Sequence, residues 1–444
     1  MVVKTICVIL GVVSAVAVWF FSAVGNEIIL EIMLSEGGYG SDWLREIAKN
    51  FESVRPGVKV EIVANPWIEE VLRPRFVAGD PPDLCTPGRL AIGPLIYEGQ
   101  IMPLDDLLET PPYGATEGRW IDSFIRDLWE PLKYGDHHYI MPLFMNVIAW
   151  WYDDALWKAQ GWMVPNTWSE FLVLAEEMKN KGLAPITTTG VYPIYPVFGL
   201  ILPTAVQIGG ASVLENAFNL LPGAWQHPAF IEAARIWQQV AAKYFAPGWQ
   251  GANHIEAHTL LVLGKAAIDP CGSWLPREMA QVTPPGVELR AMLIPGFPDT
   301  GKLRALCVDT DNPTNFVIPA KAKHPELAAE FLKFMTSPSQ ARIIAERTGA
   351  MLSIKGIPEE LLSPSVASAF VLLDRVDVTF DYRNFLRARY PELAQEIHDA
   401  TFALLTGSIT PETWALRIEK KAEEIRSNPD IRKDVYKIRI KGQP

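Results

Sequence analysis

The sequence predicts an α/β fold of two lobes, and three observations support that class. A chain of 444 residues exceeds one ordinary hydrophobic core and suits two α/β units. Hydrophobic residues make up 49% of the chain and charged residues 20%, which is typical of a globular protein. Residues 28–63 alternate strand, helix and strand, which indicates a parallel sheet because parallel neighbours require a crossover.

This first unit can be followed along the chain. Ile28–Leu34 is an apolar strand, and residues 44–51 repeat apolar side chains at i, i+3, i+4 and i+7, the stripe of a surface helix. Arg55–Gly57 ends that helix, and residues 58–63 alternate as a second strand.

Helix signals return later in the chain. Thr167–Glu170 predicts a capping box, in which the Thr side chain accepts a hydrogen bond from a free N–H at the helix start. Pro325 opens another helix, and Ser337–Gln340 predicts a second capping box. Residues 391–427 predict two helices broken at Gly407. Pro- and Gly-rich stretches predict loops at residues 79–94, 111–118 and 284–301.

The amino terminus predicts export. Lys4 precedes Ile6–Val24, an apolar run without charge, which is the pattern of a signal peptide. The run is also long enough to span a bilayer, so an uncleaved membrane anchor is the alternative. Either way, the remaining chain lies in the periplasm or at the outer face of the cytoplasmic membrane. The net charge of −11 argues against nucleic-acid binding, because an acidic surface repels phosphates.

Cysteines and histidines indicate neither a metal nor a cofactor. Beyond the amino-terminal run, Cys85, Cys271 and Cys307 remain, without C-x-x-C spacing, and a Cys271–Cys307 disulfide is left open. His254 and His258 are four residues apart and could share a helix face. A polar helix face at the rim of a cleft is favoured over a metal site there.

Several segments, taken in order, resemble the family of extracellular solute-binding proteins that includes the maltose-binding protein. They run in order over roughly residues 30–345, which is most of the chain beyond the amino-terminal run. The matching segments are Gly38-Tyr39, Pro56–Val60, Ala78–Leu84, Gly99–Asp106, Tyr139–Pro142, Tyr152–Leu156, Pro165–Phe171, Gly264–Ile268, Gly272–Trp274, Ile294–Phe297 and Lys323–Leu332. Asp153 departs from the Asn usual after this Tyr, and His137-His138 replaces a common Gly-Lys turn.

The resemblance implies a periplasmic-binding-protein fold. Each lobe is then a mostly parallel sheet flanked by helices, and crossing strands near residues 144–147 form the hinge about which the lobes close on a ligand. The implied division is a signal or anchor at residues 1–25, lobe I at 26–143 plus 291–336, lobe II at 147–288 plus 337–430, and a tail at 431–444.

The resemblance also implies a function. A monomer would capture a sugar or oligosaccharide and deliver it to the permease of an ABC transporter. A membrane-anchored ligand sensor with the same fold is the alternative, since fold does not separate the two. An exported polysaccharide-active enzyme is disfavoured, because no motif singles out a pair of catalytic carboxylates.

Sugar sites combine aromatic rings with polar side chains, and the 15 Trp residues suggest an aromatic-lined cleft. Trp274 is the leading ligand contact, because the family's Gly-x-Trp turn presents its Trp to the cleft. Glu36 and Tyr39 follow the first strand, and Thr86 and Arg89 follow a second strand end, where open sheets bind ligands.

Other predicted contacts are spread along the chain. Asn146 lies at the implied hinge, where the family often places a polar contact. Arg383, with Asp381 and Tyr382, closes the cleft from the carboxyl-terminal part. The second lobe offers four aromatic residues, for each of which core packing is the stronger interpretation: Tyr192, Tyr195, Trp225 and Trp249.

Overall fold

The computed structural model describes residues 27–125, 128–129, 132–297, 303–310 and 314–442, so the predicted signal or anchor lies outside the described residues. The strands are β1 Ile28–Ser35, β2 Val58–Asn65, β3 Leu84–Cys85, β4 Asn146–Asp153, β5 Ala184–Ile186, β6 Ala266–Gly272, β7 Leu289–Met292, β8 Ala305–Asp309, β9 Val378–Phe380 and β10 Arg439–Ile440.

Helices fill most of the remaining chain. They are α1 Asp42–Val54, α2 Ile68–Ala78, α3 Ile92–Tyr97, α4 Asp105–Leu108, α5 Asp154–Gln160, α6 Trp168–Asn180, α7 Ile194–Pro196, α8 Leu202–Gly209, α9 Ala211–Phe218, α10 Pro228–Tyr244, α11 His254–Val262, α12 Leu275–Glu278, α13 Pro325–Met335, α14 Pro338–Thr348, α15 Pro364–Phe370, α16 Pro391–Leu405 and α17 Pro411–Ser427. Five-residue and six-residue π-helical segments span Val197–Ile201 and Tyr382–Arg387.

The smaller sheet confirms the predicted first unit. Its order is β2-β1-β3, and all its pairs are parallel. Helix α1 buries the predicted stripe, and Phe51 on that stripe meets Phe331 of α13 edge to face, with ring centroids 5.2 Å apart. Because the strands are parallel, the loops after β1, β2 and β3 emerge at one edge of this sheet.

The larger sheet is mixed. Strand β4 is buried along its whole length and pairs antiparallel with β6, β7 and β8, whereas β5–β6 and β8–β9 are parallel. The expectation of a mostly parallel sheet therefore holds for the smaller sheet and not for the larger one. The predicted loop 284–301 contains the four-residue strand β7, which is too short to show a period among the surrounding Pro and Gly residues.

Two later stretches contact elements far from them in sequence. Strands β7 and β8 pair with β4 of the larger sheet. Arg347 of α14 pairs with Glu46 of α1, and Leu352 bridges Phe144. The division into lobe I at 26–143 plus 291–336 and lobe II at 147–288 plus 337–430 stays a prediction.

Three local expectations can be compared with the structure. Thr167 and Glu170 form the predicted capping box, but Ser337 makes no side-chain cap for α14. Cys271 and Cys307 are both buried and are not joined to each other by a disulfide. They lie on β6 and β8, on opposite sides of β4, and two strand spacings of about 4.8 Å exceed the reach of a disulfide.

Within the described ranges, no single helix has both the length and the hydrophobicity to cross a membrane. Two consecutive helical stretches, Ile194–Gly209 and Ala211–Phe218, are long and apolar enough only when they are taken together, and they are bent by 119° relative to each other.

Candidate ligand cleft

A cavity of about 730 Å³ lies between the loops at the carboxyl edge of the smaller sheet and the second lobe. Six of the predicted contacts line it, together with Tyr195. These six are Glu36, Tyr39, Arg89, Tyr192, Trp274 and Arg383. Three of the six, Glu36, Tyr39 and Arg89, came from the rule that open sheets bind ligands at their strand ends.

The loop after β1 supplies one wall. Tyr39 stacks on Phe144 with centroids 4.3 Å apart, and its hydroxyl donates a hydrogen bond to Asn146 Oδ1 at 2.5 Å. Glu36 Oε1 accepts a hydrogen bond from the Ser41 hydroxyl at 2.6 Å. Gly38 passes so close to the opposite wall that a Cβ there would lie 3.2 Å from Trp274 Cβ. The two walls therefore touch at this loop.

Trp274 forms the opposite wall. It lies one residue beyond β6, at the position before the short helix α12, and its indole lies across Gly272, where a Cβ would collide with the ring. Tyr195 meets the indole edge to face at 6.4 Å, and the Arg383 guanidinium lies 4.8 Å from its centroid. The Gly-x-Trp pattern therefore has a steric reason, since only Gly leaves room for the indole.

Arg89 and Trp67 form the rim. The Arg89 guanidinium lies 3.9 Å above the Trp67 ring and 5.5 Å from the Tyr192 centroid, so it reaches from the first lobe to the second. Trp67 is 44% exposed. The sequence analysis missed Trp67, although it follows β2 and the strand-end rule would have found it.

A polar group lies behind Trp274. Glu278 is 3.5 Å from His254 and 3.4 Å from His258, and His258 Nδ1 lies 2.5 Å from Asp269. Burial disfavours the charged imidazole, but Asp269 and Glu278 outweigh it and raise the pKa of His258. His254 lines the cavity, whereas His258 is fully buried rather than at a rim. In the described part of the chain, no group of three or more ligating side chains could hold a metal ion.

Four predicted contacts do not line the cavity. Thr86 is buried, and its hydroxyl accepts the Ser35 N–H at 2.6 Å. Asn146 is buried one layer deeper and accepts from the Tyr39 and Ser273 hydroxyls. Trp225 stacks on Phe230, and Trp249 packs against Phe245 and Phe402, because both lie among helices of the second lobe.

Asp381 and Tyr382 also lie outside the cavity. Asp381 Oδ1 accepts the Asn384 N–H and so begins the π-helical segment. The Tyr382 hydroxyl contacts His398 Nε2 at 3.1 Å. Arg387 and His398 do line the cavity and were missed, because they follow no strand end and no motif marks them.

The family model described as bacterial extracellular solute-binding protein matches residues 37–342. The chain is 30% identical to the diacetylchitobiose-binding protein NgcE of Streptomyces coelicolor, over 76% of this chain and 71% of the relative. It is 26% identical to the multiple sugar-binding protein of Streptococcus mutans, over 72% and 74% of the two chains.

Solved structures share the fold. The ligand-free form of RafE from Streptococcus pneumoniae superposes with a TM-score of 0.69 at 20% identity, covering 91% of this chain and 99% of RafE. RafE in complex with raffinose gives the same TM-score, at 21% identity and with 89% and 99% covered.

Proposed function

The chain belongs to the family of bacterial extracellular solute-binding proteins, and from this premise we propose that it captures a carbohydrate between its lobes. The observation that carries the proposal is the pairing of aromatic rings with hydrogen-bonding side chains in one cavity. Trp274 and Tyr192 offer faces for the C–H side of a sugar, and Glu36 and Arg89 offer partners for hydroxyls. NgcE, the multiple sugar-binding protein and RafE, whose names or structures refer to sugars, support the same ligand class.

Capture would proceed by closure of the lobes. Contacts across the cavity support this, because Arg89 reaches Tyr192 and Gly38 meets Trp274 without a covalent link at either place. Rotation about the crossing strands near residues 144–147 would separate these pairs and open the cavity. Closure then buries the ligand. Because the closed conformation differs from the open one, a partner protein can distinguish the ligand-bound form.

Delivery to the permease of an ABC transporter, by a protein exported from the cytoplasm, completes the proposal. The order of motifs and the extracellular character of the family support both parts. Binding without turnover is also proposed. Of the carboxylates in the cavity wall, Glu36 is engaged by Ser41, and Glu278 lies between two imidazoles.

A thermal-shift screen over neutral mono- and oligosaccharides, followed by calorimetry, tests the proposal. A ligand that binds only the folded form at one hundred times its Kd stabilises it by about 2.7 kcal/mol. The chromatographed ligand should remain intact after long incubation. If no sugar raises the melting temperature, or if a bound sugar is hydrolysed, the proposal is wrong.

A further inference from the structure

Three arginines line the cavity, and one of them has no protein partner. Arg89 stacks on Trp67 and lies 4.0 Å from Glu69, and Arg383 lies over Trp274. Arg387 is different. Among the described residues, its side chain makes no hydrogen bond and no ion pair within 4.0 Å. A guanidinium stays charged at any physiological pH, so Arg387 brings a cation without a direct counter-charge into the cavity wall.

The surroundings of Arg387 disfavour its charge. Burial and the positive charges of Arg383 and Arg89 outweigh the opposite effects of Tyr382 and Glu69 and lower the pKa of Arg387 to about 10. Its neighbour His398 is held neutral, because burial and the charge of Arg387 lower the pKa of that imidazole to about 3. A half-buried cation gains most from a partner that reaches it inside the cavity.

No carboxylate near the cavity is a direct partner of Arg387 among the described residues. Glu278 lies beside His254 and His258, although its Oε2 accepts no hydrogen bond there. Glu36 accepts from Ser41, and Glu69, which accepts the Arg89 N–H, acts on Arg387 only through its charge. A ligand in the cavity can supply the direct partner that Arg387 lacks.

We propose that the cleft takes a carbohydrate carrying one anionic group, a uronic acid carboxylate or a phosphate ester, and that Arg387 binds that group. The inference rests on the proposed capture of a carbohydrate and names its charge. Trp274 would stack on the sugar while Arg387, at the side of the same cavity, receives the anionic oxygens. Both sources of the anion offer paired oxygens, which a planar guanidinium binds in a bidentate manner.

Matched sugars test this proposal by calorimetry. The neutral sugars are galactose, glucose and galactobiose. Each is compared with its uronate and its 6-phosphate, and inorganic phosphate and acetate serve as controls for binding of the ion alone. The wild-type protein should bind at least one acidic sugar about thirtyfold more tightly than its neutral counterpart. Comparison of the uronate and phosphate arms identifies the anion.

Two variants separate recognition from folding. Arg387→Gln should remove the advantage of the acidic sugar and change the affinity for the neutral sugar less than threefold. Its melting temperature should stay equal or rise, because an unpaired cation has been removed. Arg45→Gln, on the exposed face of α1, changes the net charge equally and should leave both affinities unchanged.

Each other outcome overturns the inference in a distinguishable way. Neutral sugars that bind as tightly as acidic ones refute the anionic ligand and leave the carbohydrate proposal intact. Equal losses for both sugars in Arg387→Gln, with a lower melting temperature, assign Arg387 a structural role. Binding of inorganic ions alone, or of no sugar at all, removes the carbohydrate proposal and the inference together.

Discussion

Trp274 and Trp225 carry the same side chain in the same lobe and are both largely enclosed, yet they occupy different environments. Trp274 follows the end of β6, is 8% exposed, and presents its ring to the cavity beside Arg383. Trp225 lies in a 3-10 turn, is 0% exposed, and stacks on Phe230 with centroids 4.9 Å apart. Position relative to a strand end, more than residue type or burial, separates a cavity wall from a core.

Indole N–H groups do not separate the two residues. The fully buried Trp237 and Trp414 donate theirs to Thr204 and Thr401, as core indoles commonly do. Among the described residues, however, the buried Trp225 Nε1 has no hydrogen-bond partner, and the Trp274 indole donates to none either. The comparison therefore depends on position and packing.

The largest expected effect lies on the core side. Trp225→Ala should lower the free energy of unfolding by about 3–5 kcal/mol, because it opens a cavity beside Phe230 and Trp414. The surviving folded protein should bind sugar as the wild type does. Urea unfolding and calorimetry measure the two quantities. Trp225→Phe, which keeps the stacking, is the milder control, and a loss of affinity in it would place Trp225 with the binding wall.

Trp274→Ala should show the reverse pattern. Truncation of a buried aromatic contact in a binding site costs at least about 2 kcal/mol, or about thirtyfold in affinity. The unfolding midpoint should fall less than in Trp225→Ala, because the indole faces the cavity instead of a packed core. A sharp fall in midpoint with unchanged affinity would make Trp274 a scaffold residue and erase the distinction between the two tryptophans.

Two histidines extend the comparison to pH. His398 in the wall has a pKa lowered to about 3, mainly by burial, so the unfolded chain binds its proton first as the pH falls below about 6.5. Its contribution to stability is complete above that pH and decreases by about 1.4 kcal/mol per pH unit below it. Urea midpoints at pH 7 and pH 5 measure the slope, which should be shallower in His398→Gln.

His258 in the core supplies the opposite sign. Its pKa is raised, so its contribution is complete below the unfolded pKa and is lost as the pH rises through the folded one. His258→Gln should therefore steepen the loss of stability towards acid, and equal slopes in the two variants would contradict the assignment of both histidines.

The sequence predicts local structure better than it predicts which side chains meet. Residues 28–63 carry their own periodicity, so the parallel unit and the loop bearing Glu36 and Tyr39 follow from pattern alone. Trp274 required a family motif, whose physical basis is the space above Gly272.

Arg387 and His398 could not be found in this way. Arg387 ends the π-helical segment that follows β9, and His398 lies in the middle of α16. Their neighbourhood is created by tertiary packing between a carboxyl-terminal segment and both lobes. Asn146 does not line the cavity for a related reason, since a hinge position indicates proximity to the cleft but does not fix the depth of a side chain.

The smallest expected effect concerns the contact between the walls themselves. In Gly38→Ala, the new methyl group would lie 3.2 Å from Trp274 Cβ and 3.4 Å from Glu278 Cβ, which is overpacked. Since these atoms belong to opposite walls, the substitution should oppose closure and leave the separate lobes intact. Affinity should fall by about 1 kcal/mol, about fivefold, while the unfolding midpoint of the ligand-free protein holds. Small-angle scattering should show a smaller decrease in radius of gyration on addition of ligand than in the wild type.

Gly37→Ala is the matched control, because nothing lies within 4 Å of a Cβ there. Equal weakening in both variants would attribute the effect to loop stiffness and remove the argument that Gly38 and Trp274 meet across a closing cleft.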